Sequence, residues 1–260
     1  MKISNEILGQ EKSTEELVSV VMPLFNAENS VHKSISSVLN QTYKNLELII
    51  VDDCSTDASF GLVSEIAKSD KRVVLRRLEK NSGAGVARNM AILEAKGRYI
   101  AFLDADDRWY SNKLTHQIHI FKSSKVDLVC SWYDVVNSEY EPIGTRKPTE
   151  WITYRELLKE NVIGCLTAIY DTQRIGKVYM PEIRKRQDYA LWLNILKKTE
   201  KAYCIQRSLA EYYVQANSIS SNKIEMLSWN YRMFRESQGY NIPVALLLTL
   251  RNGYQKLKQR

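Results

Sequence analysis

The chain is poor in the residues that build scaffolds without a packed core. Ten Gly and five Pro in 260 residues are too few for a linker or a low-complexity array. The four cysteines, Cys54, Cys130, Cys165 and Cys204, lie 76, 35 and 39 positions apart, with no C-x-x-C pair and none near His32, His116 or His119. Such spacing argues against a zinc cage or a disulfide framework. The first sixteen residues, MKISNEILGQEKSTEE, lack the apolar stretch of a leader. The longest aliphatic run, Val244 to Leu250, is far short of the roughly 20 residues of a membrane span. A reducing cytoplasm is the expected location. Also missing is a G-x-G-x-x-G after the first apolar run, where Pro23-Leu-Phe-Asn26 stands instead, which argues against a dinucleotide-dependent oxidoreductase.

What is present suits a soluble globular protein. Hydrophobic residues make up 44% and charged residues 26%, enough for a full core. The net charge of +7 is uneven: residues 1–200 carry 28 Lys+Arg against 27 Asp+Glu, and residues 201–260 carry 9 against 3. That surplus suggests an anionic partner at the C-terminal end, nucleic acid or a membrane surface. The tail lacks the interleaved aromatics of a nucleic-acid reader, so no nucleic acid is expected.

Short apolar runs alternate with amphipathic stretches through the first half. This predicts an α/β fold with a mostly parallel sheet covered by helices. Strands are expected at Leu17–Pro23, Leu46–Val51, Arg72–Leu78, Arg98–Leu103 and Val126–Tyr133. Helices are expected after Asn26, over about 57–68, 84–95 and 112–122, and again over 188–198, 223–235 and from about 243 onward. Residues 138–187, with Pro142, Pro148 and Pro181, are expected to be irregular and to belong to a smaller second lobe.

Two of the first four strands end in carboxylates, Asp52/Asp53 and Asp104/Asp106/Asp107. In a parallel sheet these ends share one edge, where ligands of open α/β sheets bind. Crowded carboxylates repel unless a cation or proton lies between them, and a hard ion such as Mg2+ or Mn2+ takes oxygen ligands and shares them with phosphates. A single Asp at a strand end is more often a turn former or helix cap, and Asp57 and Asp107 fit that reading. For a D-x-D after an apolar strand the balance favours a ligand.

Four segments carry a resemblance: Val18-Ser-Val-Val-Met-Pro-Leu-Phe-Asn26, Ile49-Ile-Val-Asp-Asp-Cys-Ser-Thr-Asp57, Asn81-x-Gly-x-Gly-x-Ala-Arg-Asn89 and Gly97-Arg-Tyr-Ile-Ala-Phe-Leu-Asp-Ala-Asp-Asp107. In this order, with the later patch Arg186-Gln-Asp-Tyr-Ala-Leu-Trp-Leu193, they resemble the family 2 inverting glycosyltransferases. The resemblance implies a glycosyltransferase A-type fold, a Rossmann-like, mostly parallel sheet with helices on both faces, with an N-terminal extension (1–16), a nucleotide-sugar lobe (17–137), a smaller acceptor lobe with the catalytic base (138–222) and a basic helical segment (223–260). It implies that Pro23, Phe25 and Asp53 hold the nucleotide base, usually uracil, that Arg88 lies by the diphosphate and Asp104 near the ribose. Asp106 would bind the Mn2+ or Mg2+, and Asp188 would be the catalytic base. Gln187 stands where members more often carry Glu, and Tyr213 and Gln215 stand where a mobile loop often carries Arg and His.

The activity implied is transfer of a hexose or N-acetylhexosamine from a nucleotide-diphosphate sugar, with UDP the expected nucleotide. The acceptor implied is a lipid-linked saccharide of bacterial surface polysaccharide such as O-antigen or capsule, used at the inner face of the cytoplasmic membrane. The run Leu246-Leu-Leu-Thr-Leu250 followed by Arg251, Lys256, Lys258 and Arg260 suits a helix at an anionic membrane surface. The basic group Arg184-Lys-Arg186 suits either the acceptor's diphosphate or a solvated loop. The rival readings are a sugar-nucleotide nucleotidyltransferase, which would carry a Gly-rich basic loop after the first strand, and a non-catalytic nucleotide-binding module.

Overall fold

Seven consecutive buried residues, Val18–Leu24, form strand β1, which pairs in parallel on both sides and therefore shows no polar alternation. The computed structural model describes residues 15–214 and 223–258; nearly all of the N-terminal extension, Gln215 and Arg260 lie outside them. After β1 come α1 (Val31–Leu39), β2 (Leu46–Asp52), α2 (Ser59–Ser69), β3 (Val73–Arg77), α3 (Ala84–Glu94) and β4 (Tyr99–Phe102). Then follow β5 (Arg108–Trp109), α4 (Lys113–Ser123), β6 (Leu128–Val136), β7 (Pro142–Arg146), β8 (Trp151–Thr153), α5 (Tyr154–Leu157), β9 (Ile169–Asp171) and α6 (Thr172–Ile175). The chain continues with α7 (Gln187–Leu196), β10 (Lys201–Tyr213), α8 (Lys223–Arg232) and α9 (Ile242–Lys258).

The strands build one sheet in the order β3-β2-β1-β4-β9-β6-β10-β5, with β7 added to β6 and β8 to β10. Strands β1 to β4 run parallel, and β6 and β10 run the same way. The expected Rossmann-like α/β fold is present. Residues 138–187 depart from the expected irregularity, because β9 inserts antiparallel between β4 and β6 and β8 extends β10. The segment is thus part of the central sheet. Its strands of three to five residues are too short to display a period. The helix expected over 223–235 ends at Arg232 and passes into a wider turn over Met233–Ser237 that buries Met233 and Phe234.

Each face of the sheet has its own core. On one, Ile35 and Val38 of α1, Val63 of α2 and Leu114 and Ile118 of α4 pack on Val20, Met22 and Leu48. On the other, Ala87 and Ala91 of α3, Leu191 and Trp192 of α7 and Ala245 and Leu248 of α9 pack on Val21, Ile49 and Phe102. Placing α3 and α7 on the same face brings their N-terminal ends together. Trp192 is fully buried and meets Phe102 edge-on, ring centroids 5.4 Å apart. Its indole N–H has no hydrogen-bond partner among the described residues. Trp192→Ala should therefore cost about 3–5 kcal/mol in urea denaturation, and Trp192→Phe much less, because no polar contact is lost.

Candidate active site

The loops after β1 and β2 are stitched to each other. Backbone N–H groups of Asn26, Ala27 and Glu28 donate to Ser55 Oγ, Ser59 Oγ and Asp57 Oδ2, while Thr56 and Ala58 donate back to the Asn26 and Glu28 side chains. Asp57 also accepts from Ser59 N at the start of α2, the local turn role expected of it. Pro23 is buried at the end of β1, and Phe25, 49% exposed, projects from this braced loop. Asn26 and Cys54 hold left-handed backbone, φ 46° and 64°, a strained conformation kept where the surroundings over-determine it.

Asp53 is only 3% exposed, and both its oxygens accept backbone N–H groups, Oδ1 from Ser82 at 2.6 Å and Oδ2 from Gly83 at 2.8 Å. It anchors the glycine turn, so any contact with a base is made by a carboxylate already holding two donors. Gly83 has φ 93°, open to glycine at no steric cost, and caps α3. The N-terminus of α3, with its partial positive charge, thus lies beside the strand ends. Arg88, one turn into α3, is buried and ion-paired with Asp104 across the edge. Burial alone would push this guanidinium down, but the neighbouring charge and hydrogen bond of Asp104 hold it above its ordinary value.

Asp104, Asp106 and Asp107 crowd the end of β4. Asp106 is pushed up to about 6, first by burial and then by the charge of Asp104. Asp107 is pushed well above the carboxylate range by burial and by its two neighbours, and its Oδ1 accepts from Tyr213 N of β10 at 3.0 Å. That bond across the sheet replaces the helix-capping role expected of Asp107. Tyr213 therefore reaches the site through its backbone. Repelling oxygen donors of this kind fit a hard divalent cation. Among the described residues no cluster of three His, Cys, Asp or Glu could hold a metal alone, so diphosphate or water oxygens would complete the shell.

Asp188 is the second residue of α7 rather than its cap, a position held by Arg186. Its carboxylate accepts from Asn161 Nδ2 at 3.1 Å, and its charge acts on Arg88. Asp188 is thereby brought near Arg88 and Asp104, which precede it by 100 and 84 positions. Gln187 wedges α7 against α3: a Cβ on Gly85 would stand 2.6 Å from Gln187 Nε2, which donates to the carbonyls of Ile183 and Arg184. A Glu there could not make those bonds.

Two residues enter the site without a sequence signal. Asn161 orients Asp188, and Cys165 lies within electrostatic reach of Arg88, Asp104, Asp188 and Asp107, its thiol pushed well up by burial. The short 3-10 turn Cys165–Thr167 is held from below by Trp109 Nε1 donating to Leu166 O and by Gln117 Nε2 donating to Thr167 O. Lys113 Nζ, fully buried, donates to Gln117 Oε1.

The mostly parallel sheet with helices on both faces, at whose carboxyl edge these side chains stand, has the GT-A fold. The same fold is seen in mannosyltransferase PcManGT from Pyrobaculum calidifontis in complex with GDP-Man and Mn2+, with a TM-score of 0.69 and 18% identity over 93% of this chain and 70% of that one. Residues 19–177 match Glycosyl transferase family 2, and the chain belongs to that family and is a glycosyltransferase. It is 38% identical to the putative teichuronic acid biosynthesis glycosyltransferase TuaG of Bacillus subtilis, over 94% of this chain and 97% of TuaG. It is 41% identical to WfgD of Escherichia coli, over 81% of this chain and 82% of WfgD. WfgD is a UDP-Glc:alpha-D-GlcNAc-diphosphoundecaprenol beta-1,3-glucosyltransferase.

A carboxyl whose pKa is raised in the folded state costs stability as it ionises, here between about pH 4 and about pH 6 for Asp106. A cation bound to the carboxylate removes that cost, and below the raised pKa the proton competes with it. Mn2+ should therefore raise the melting temperature clearly at about pH 7.5 and little at about pH 5, and Asp106→Asn should lose most of the rise.

Proposed function

We propose that the protein is an inverting glycosyltransferase that moves a hexose or N-acetylhexosamine from a UDP-sugar to a hydroxyl of a lipid-linked saccharide in bacterial surface-polysaccharide synthesis. The observation that carries this reading is the packing of Gln187 on Gly85, which sets Asp188 at the start of α7 beside the helix that carries Arg88 to Asp104, a candidate base near a candidate diphosphate site. The name of WfgD supports the acceptor class and UDP, and that of TuaG supports the biosynthetic setting.

The nucleotide site is assigned to residues 17–137, with Pro23, Phe25 and Asp53 around the base and Asp104 near the ribose. The acceptor side falls to residues 138–222. Asp188, oriented by Asn161, removes the proton from the acceptor hydroxyl as its oxygen attacks the anomeric carbon. The bond from that carbon to the diphosphate breaks on the opposite face, which inverts the configuration in one displacement. Arg88 and the positive end of α3 meet the negative charge that gathers on the departing diphosphate. Asp106, with Asp104 beside it, would hold Mn2+ or Mg2+, which when bound supplies further positive charge to the diphosphate oxygens. Asp188→Asn should lower kcat for transfer from a UDP-sugar by about 100-fold or more while UDP still binds in calorimetry. Near-normal transfer by that variant would sink the base assignment.

Peripheral attachment to an anionic membrane belongs to the same proposal. Helix α9 buries Ala245, Leu248, Thr249 and Asn252 against the protein and leaves Ile242, Leu246, Leu247, Leu250 and Tyr254 exposed beside Arg251. No helix among the described residues is long and apolar enough to cross a membrane, and this exposed face with its basic surroundings suits one lying on it. Replacing Leu246, Leu247 and Leu250 together by Glu should abolish sedimentation with phosphatidylglycerol vesicles. Unchanged sedimentation would remove the membrane reading and leave the transferase reading intact.

A further inference from the structure

The three basic residues that precede the base are not equivalent. Lys185 Nζ pairs with Glu225 at 2.6 Å, and Arg184 is exposed, its carbonyl accepting from Gln187. Arg186 is partly buried immediately before α7, and its Nε has no hydrogen-bond partner among the described residues. Its backbone is left-handed, φ 67°, in a residue type that rarely adopts that region. Burial pulls its pKa down, and the charge of Asp188 offsets this only in part. Of the nearby acids, Glu225 pairs with Lys185 and the charge of Glu160 acts on Tyr189 and Tyr133. A guanidinium with a buried, unpartnered nitrogen on strained backbone next to the base is costly unless an anionic ligand completes it.

The geometry points to Arg186 as the residue that binds the diphosphate of a polyprenyl-diphosphate-linked acceptor, an assignment that rests on the acceptor class proposed above. When a sugar is joined to a diphosphate through its anomeric oxygen and glycosylated on the same ring, its phosphates lie about one ring's width from the attacking hydroxyl. A group beside Asp188 is at that distance. The guanidinium fork matches phosphate oxygens. The donor's diphosphate has its own partners in Arg88 and the start of α3, so Asp188 stands between two anion sites of different origin. The pairing of Lys185 with Glu225 leaves Arg186 as the cation of the triplet that is partly buried and, among the described residues, not ion-paired.

The test uses farnesyl diphosphate, a short polyprenyl diphosphate without sugar, titrated by calorimetry into protein saturated with UDP and Mn2+. Saturation closes the donor site, so the heat reports the second one. Arg186→Gly suits the left-handed backbone and removes the guanidinium without strain, and Arg186→Lys keeps the charge without the fork. Wild-type protein should bind farnesyl diphosphate and not farnesol, Arg186→Gly should weaken that binding by about 10- to 100-fold, and Arg186→Lys should weaken it less. Equal affinities in wild-type and Arg186→Gly protein, binding of farnesol as tight as the diphosphate, or no binding by the wild type would each overturn the assignment. Failure of UDP to bind in the first titration would instead count against the donor reading, so the two can fail separately.

Discussion

Three aspartates at the end of one buried strand set the terms for everything around them. Asp106 and Asp107 sit where water is largely excluded, and the charge of Asp104 makes both harder to ionise. The protein meets this load from two directions: Arg88 comes in from α3 to pair with Asp104, and the backbone of Tyr213 comes in from β10 to Asp107. Each partner in turn imposes a demand. Arg88 is in place only if α3 starts at a left-handed glycine, and α3 approaches α7 only because Gly85 has no side chain to strike Gln187.

The same packing fixes the opposite wall. Gln187 holds the turn before α7 by donating to two carbonyls, and Asp188 follows it into the first turn of the helix. An amide at this position carries no charge, so Asp188 has no acidic neighbour at the preceding residue. Below, Trp109, Gln117 and the buried Lys113 brace the turn that carries Cys165. The candidate site is thus made of a few side chains, whereas their placement depends on backbone groups and glycines scattered through the chain.

Much of this was legible in the sequence, for a physical reason. Strands buried on both faces must be continuously apolar, so β1, β2 and β4 stand out as runs, and the carboxylates that end them mark the edge. β10 has thirteen residues and nevertheless hid, because register shifts between Ile205 and Ser208 and again before Glu211 break the two-residue period. β9 hid by being three residues long. The holding of Asp53 by Ser82 and Gly83, and of Asp107 by Tyr213, was equally silent, because the donors are backbone N–H groups with no residue signature. Asn161 is an ordinary polar residue until the fold sets it against Asp188.

The path of the sheet governs when a growing chain can become this protein. Strand β4 is complete at Phe102, yet its outer neighbour β9 begins at Ile169, and β6 waits for β10, which ends at Tyr213. Until those segments leave the ribosome, β4 and β6 present open, apolar edges of the kind that invite pairing with other chains. Pairings between residues so far apart also form slowly. The N-terminal half is synthesised first but is finished last, and an interrupted chain that stops short of β10 leaves Asp107 without its partner. Synthesis of the polypeptide and completion of the carboxylate cluster are thereby tied to the same late event, the docking of β10.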